Sequence, residues 1–196
     1  MSNALADKPV ILVLGDSLSA AYGIERSQGW VALLENRLVE EGYPYRVVNA
    51  SISGDTTAGG LSRLPRALDQ FQPEIVIIEL GANDGLRGLN NDQTRLHLKQ
   101  MITLVRAVPS RPLLLGIMLP PNFGKAFSEK FLLIYQELAE QLDVPLVPFL
   151  LEGVADRPEL MQRDGLHPRA EGQPLMLELV WLKLQPMLKP QMSAEN

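Results

Sequence analysis

Cysteine is absent from the 196 residues, which removes disulfides, thiolate catalysis and any cysteine-held zinc or iron–sulfur site. The redox compartment stays open, because a cysteine-free chain suits reducing and oxidising surroundings alike. Aromatics are sparse at 6%, with only two Trp and four Tyr to stack on sugars. Basic runs are missing: 18 Lys and Arg stand against 23 Asp and Glu, for a net charge of −5, which argues against a nucleic-acid partner. No apolar stretch approaches the ~18 residues of a membrane span, so no stable membrane anchor is expected. Histidine occurs only at positions 97 and 167.

What remains is an ordinary globular composition, 46% hydrophobic and 21% charged, long enough to bury one substantial core. With no repeat, linker or low-complexity tract, one domain is expected over residues 9–188. Residues 1–8 read as a cloning remnant or a disordered start, and 189–196 as a tail. A monomer is expected.

Short continuous apolar runs alternate with stretches of helical period. The runs are Val10–Leu14 ending in Gly15, Tyr45–Asn49, Ile75–Ile78, Leu113–Met118 and Val144–Phe149, whose two prolines fit only an edge strand. Runs without alternation suggest strands covered on both faces, as in a parallel sheet. Helical stripes are Trp30-Leu33-Leu34-Leu38, Leu98-Met101-Ile102-Val105, Phe127-Phe131-Ile134-Leu138-Leu142 and Leu175-Leu179-Leu182. A further short helix is expected in 57–70, although Pro65 falls inside it. This alternation predicts a flavodoxin-like, three-layer α/β/α fold with five parallel strands in the order 2-1-3-4-5. Active groups in such sheets gather beyond the carboxyl ends of the strands.

Four of those strand ends carry polar residues. Gly15-Asp16-Ser17-Leu18-Ser19 places Ser17 at or near the start of a helix, where its hydroxyl either caps the helix or serves as a nucleophile. Asn49–Thr57 contains Gly54, either an ordinary turn or a place where a backbone N–H approaches a ligand without a Cβ in the way. In Gly81-Ala82-Asn83-Asp84-Gly85, the Asn83 amide either forms a turn or donates to an oxyanion. In Asp164-Gly165-Leu166-His167-Pro168, the acid can fold back onto Nδ1 of the histidine and leave Nε2 free to take a proton, with Pro168 in the first turn of the next helix. His97 has no acid motif near it and reads as a surface or packing residue, so a histidine base would be His167. Asp16, Asp55, Glu79 and Asp84 are rival acids, expected in structural pairing or turn bonding. Loops 85–90 and 119–127 carry Leu86, Leu89, Leu119, Pro120 and Phe123, which either line an acyl groove beside Ser17 or cover the sheet edge.

Gly15–Ser19, Gly54, Gly81–Asp84 and Asp164–Pro168 resemble the four signature blocks of the SGNH, or GDSL, hydrolases. Val48–Thr56, Glu79–Gly88 and Leu119–Gly124 are further similar to the bacterial acyl-thioesterase, arylesterase and lysophospholipase branch, with Ala82 where that branch often has a second glycine. The resemblance, which spans about residues 9–188, implies Ser17 as nucleophile, His167 as base and Asp164 as its orienting partner. It implies an oxyanion hole of Ser17 N–H, Gly54 N–H and the Asn83 side chain, no cofactor, no metal, small ester or thioester substrates, and export to the periplasm. Two alternatives remain at this level. One is a carbohydrate acetyl esterase of the same superfamily, against which the apolar loops and few aromatics weigh. The other is a non-catalytic flavodoxin-like module binding a phosphate at Gly15–Ser17, against which the charge of Asp16 weighs.

Overall fold

The computed structural model describes residues 8–190, so the expectations for 1–7 and 191–196 lie outside the described residues. The five strands are β1 (Val10–Gly15), β2 (Arg46–Asn49), β3 (Ile75–Glu79), β4 (Arg111–Leu115) and β5 (Leu146–Val147). All pairings are parallel and the order is β2-β1-β3-β4-β5, the flavodoxin-like order expected from the alternating runs. β1 and β3 are buried along their whole length, which explains their unbroken apolar character.

Six α-helices flank the sheet among the described residues: α1 (Trp30–Glu40), α2 (Thr57–Phe71), α3 (Ala82–Leu86), α4 (Asn91–Arg106), α5 (Lys125–Leu142) and α6 (Gln173–Leu184). α1 packs with α6, and α2 packs with α4, which in turn meets α5. α2 is longer than the short helix expected. Thr56 caps it by accepting from Gly59 N–H at 3.3 Å, and the chain runs through Pro65 to a left-handed Gln72. Its Gly60 lies against Leu80, the residue after β3, where a Cβ would come within 2.1 Å of Leu80 Cδ1.

Three expectations need correction. β4 stops at Leu115 rather than Met118, because the chain crosses the end of β5 at Gly116, where a Cβ would sit 2.1 Å from the Pro148 carbonyl oxygen. α6 buries Met176, Leu177, Val180, Trp181 and Leu184, whereas Leu175 and Leu182 face solvent at 37% and 69% exposure. A helix apolar nearly all round gives no phase from leucines alone. Pro168 lies not in the first turn of a helix but in an isolated antiparallel bridge with Met161, and a different proline, Pro174, stands at the start of α6. None of the described helices is long and apolar enough to cross a membrane.

Candidate active site

Because every strand is parallel, the loops after β1, β2, β3 and β5 open at one edge, and the polar blocks meet there. Ser17 is not at a helix start. Asp16 Oδ1 accepts from Leu18 N–H at 3.0 Å and its carbonyl from Ala20 N–H at 3.0 Å, making one tight turn that a left-handed Ala21, φ 59°, ends. α1 begins only at Trp30. The turn leaves the Ser17 side chain half-buried and facing the loop that follows β5.

That loop folds Asp164 back on His167 as the spacing suggested. Asp164 Oδ1 accepts from Leu166 N–H at 2.9 Å and His167 N–H at 3.0 Å, and Oδ2 lies 2.7 Å from His167 Nδ1. A carboxylate there assigns the hydrogen to Nδ1, and Nε2 then accepts from Ser17 Oγ at 2.9 Å. Partial burial works to raise the Asp164 carboxyl, yet the bonds from His167 and the two backbone N–H groups hold it below its usual value.

Two residues hold this pair of loops together that sequence reasoning missed. Gln162 donates from Nε2 to the carbonyls of Tyr22, at 2.8 Å, and Pro168, at 3.0 Å, tying the serine loop to the histidine loop. The Tyr22 ring lies 4.5 Å from the imidazole, tilted by 42°. No sequence signal marks either residue, since the contacts of Tyr22 with Gln162 and His167 join segments far apart in the chain.

Gly54 has φ 80° and its carbonyl accepts from Arg87 Nη2 at 2.8 Å. Among the described residues no acceptor takes up the N–H of Gly54 or of Ser17. Arg63 of α2 fixes the loop from behind, donating to Asp55 Oδ2 at 2.8 Å, to Gly15 O at 3.2 Å and to Ala50 O. Asn83 sits in the single turn of α3, entered through Gly81 at φ 124°. Its amide is already engaged: Nδ2 donates to Asp55 O at 2.9 Å and to Asp16 Oδ2 at 3.1 Å. Buried Asp16 demands hydrogens for both oxygens, and this amide supplies the one at Oδ2.

The rival acids are structural partners. Asp55 pairs with Arg63, and Asp84 accepts from Thr57 N–H at 2.9 Å and from the Thr57 and Thr94 hydroxyls. His97 Nδ1 lies 3.0 Å from Thr57 Oγ1, so it belongs to this network and not to the Ser17 loops. Asp16 and Glu79 are both wholly buried. Glu79 Oε2 accepts from Ser19 Oγ at 2.7 Å and Asp16 N–H at 3.2 Å. Burial, reinforced by the charge of Asp16, pushes Glu79 well above the usual carboxyl range, and burial raises Asp16 to about 6. Gly15 leaves the room for this pair, because a Cβ there would meet Glu79 Oε2 and Ser19 at 2.8 Å.

Beside Ser17 opens a cavity of about 310 Å³. Leu86, Leu119 and Pro120 line it, whereas Leu89 and Phe123 do not; Leu89 is exposed and Phe123 packs on the core. Phe149, Leu151 and Met161, from the segment after β5, line it instead and carried no motif. Among the described residues no three His, Asp or Glu side chains are grouped to hold a metal ion.

The chain is similar in sequence and fold to known proteins. The sequence profile of the GDSL-like lipase/acylhydrolase family matches residues 13–175. Esterase TesA of Pseudomonas aeruginosa is 54% identical over 178 residues, covering 91% of this chain and 89% of its own. A crystal structure of TesA superimposes with a TM-score of 0.90 over 91% of this chain and 99% of that one, again at 54% identity. An arylesterase of Vibrio mimicus is 49% identical over 87% of this chain and 85% of its own. Thioesterase 1/protease 1/lysophospholipase L1 of Escherichia coli K12 is 47% identical over 91% of this chain and 84% of its own.

Proposed function

The chain belongs to the GDSL-like lipase/acylhydrolase family, and on that footing we propose that it hydrolyses carboxylic and thio esters through a serine ester on Ser17. One observation carries the assignment of roles: Ser17 Oγ lies 2.9 Å from Nε2 of His167, a residue 150 positions away, whose Nδ1 lies 2.7 Å from Asp164. His167 removes the Ser17 proton as Oγ attacks the acyl carbon, then returns it to the departing alcohol or thiol. Water, activated by the same imidazole, cleaves the serine ester and regenerates the hydroxyl. The N–H groups of Ser17 and Gly54 and one Asn83 hydrogen receive the developing oxyanion, each worth about 3 kcal/mol of barrier. Asn83 shares the hydrogen of its longer bond, the one to Asp16, to do so.

The names of the relatives point to aryl esters, acyl thioesters and lysophospholipids as substrates, all with an acyl chain and most with a good leaving group. The lining of Leu86, Leu119, Pro120, Phe149 and Leu151 suits that chain and offers little to a sugar. Along a series of aryl esters, with Ser17→Ala protein as blank, kcat/KM rises about fourfold per methylene until the cavity is full, as burial of about 0.8 kcal/mol per methylene requires. A rate independent of acyl length contradicts the acyl-pocket reading and leaves these side chains as cover for the sheet edge. The proposal includes a monomer exported to the periplasm and acting in lipid metabolism, supported by likeness to the acyl-thioesterase branch and tested by gel filtration and by fractionation of producing cells.

A further inference from the structure

Two carboxyl groups lie directly beneath the proposed oxyanion hole without belonging to the triad. Asp16 and Glu79 are both 0% exposed and adjoin each other, Asp16 N–H donating to Glu79 Oε2 at 3.2 Å. Two adjoining carboxyl groups buried this fully do not both ionise; one carries a hydrogen. The partners show which. Asp16 uses both oxygens as acceptors, Oδ1 from Leu18 N–H and Oδ2 from Asn83 Nδ2. Glu79 Oε1, in contrast, is buried and has no hydrogen-bond partner among the described residues, as expected of a carboxyl oxygen that carries the hydrogen. An ionised Glu79 would leave that oxygen unpaired beside a second buried anion, an arrangement that desolvation strongly disfavours.

The consequence falls on Asn83. Its amide has a donor end and an acceptor end of nearly equal shape, and the electrostatics of its neighbours alone decide which way round it sits. Asp16 Oδ2 and Asp55 O both demand the NH₂. Resting on the reading of Asn83 as an oxyanion donor, we infer that Asp16 and Glu79 are positioning residues: Glu79 keeps the proton and points it at Asp16, which stays a carboxylate, and that carboxylate holds the Asn83 NH₂ toward the pocket. With Asp16 neutral only Asp55 O still holds the NH₂ in this sense, and an amide that turns presents its carbonyl to the oxyanion. The raised Glu79 and the Asp16 value of about 6 agree with this division of the proton at neutral pH. The titratable and charged groups facing the pair are His167 across the cleft, Tyr135 of α5, whose phenol burial pushes well up, and, further out, Asp84 and the Asp55–Arg63 ion pair.

Glu79→Gln and Glu79→Leu test this in the full chain, with an infrared measurement beside the kinetics. Gln keeps a hydrogen for Asp16 and an acceptor for Ser19; Leu keeps neither. With an aryl ester, Glu79→Leu lowers kcat about 10²-fold with KM moved less than about threefold, and Glu79→Gln stays within about fivefold of the unaltered protein. At about pH 8, where ordinary carboxyl groups are fully ionised, the unaltered protein shows the carbonyl stretch of a protonated acid and Glu79→Gln lacks it. Absence of that band, a Gln variant as slow as the Leu variant, or a folded Leu variant with undiminished kcat each overturns the inference. If Glu79→Leu does not fold, the band and the Gln variant decide. A Ser17→Ala control separates the two readings: inactive Ser17→Ala beside an unimpaired Glu79→Leu refutes the positioning pair alone, and active Ser17→Ala refutes the triad.

Discussion

Ser17→Ala protein loses about 10⁴- to 10⁶-fold in turnover of an aryl ester, the cost of removing a member of a nucleophile–base unit. The loss is confined to chemistry. The Ser17 side chain is half-buried and its hydroxyl bonds to His167 Nε2, outside the packed core, so the thermal midpoint moves by the equivalent of at most about 1 kcal/mol. The backbone N–H of residue 17 survives the substitution, and with it one proposed oxyanion donor. A residual rate above that of water is therefore expected, but no serine ester. Folded Ser17→Ala protein hydrolysing the ester at the unaltered rate contradicts the assignment of the nucleophile.

Replacing Asp164 has the second-largest effect. Asp164→Ala removes the acceptor for Nδ1–H and the turn bonds to Leu166 and His167 N–H, and kcat falls about 10⁴-fold. Asp164→Asn separates the two roles. Asn keeps an oxygen for the turn but presents an NH₂ to Nδ1, favouring the tautomer with its hydrogen on Nε2, and its activity falls about as far. The stability effect is small, since the carboxylate side chain is 40% exposed, and its sign follows from the lowered carboxyl. A group with a depressed folded value contributes above its unfolded value, near pH 4, and the contribution fades as pH falls through the folded value. Asp164→Ala is thus slightly less stable than the parent at neutral pH and no less stable in strong acid. Kinetics of both variants beside Glu79→Leu check the ranking; a larger loss at Glu79 than at Asp164 contradicts the triad.

How far these roles were legible depends on the range of the contacts. The β1 and β3 runs announced buried parallel strands, and once the sheet is parallel the loops bearing Ser17, Gly54, Asn83 and His167 must share an edge. Asp164 and His167 are three residues apart, so their contact is local and readable from spacing. Legibility ended where contacts became long-range or symmetric. Leu175, Leu179 and Leu182 gave the wrong phase for α6 because both faces of that helix are apolar. Ser17 as a helix start failed because Ala21 adopts a left-handed conformation, where a Cβ is normally disfavoured. Gln162 and Tyr22 bridge segments that no periodicity joins, and the acids at 16 and 79 meet only because β1 and β3 are neighbours. Leu89 and Phe123 have the right loop and the right chemistry, but neither lines the cavity, and Phe149 and Met161 line it from a segment chosen by the fold.

The central claim is that one hydroxyl, made nucleophilic by the imidazole of residue 167, carries the acyl group. Treatment with a fluorophosphonate, followed by proteolysis and mass mapping, reads this directly, because the reagent bonds covalently to an activated serine and spares an ordinary one. The account predicts an adduct on Ser17 that appears in step with the loss of esterase activity. Complete inactivation with the adduct on any other residue, and Ser17 unmodified, would contradict it.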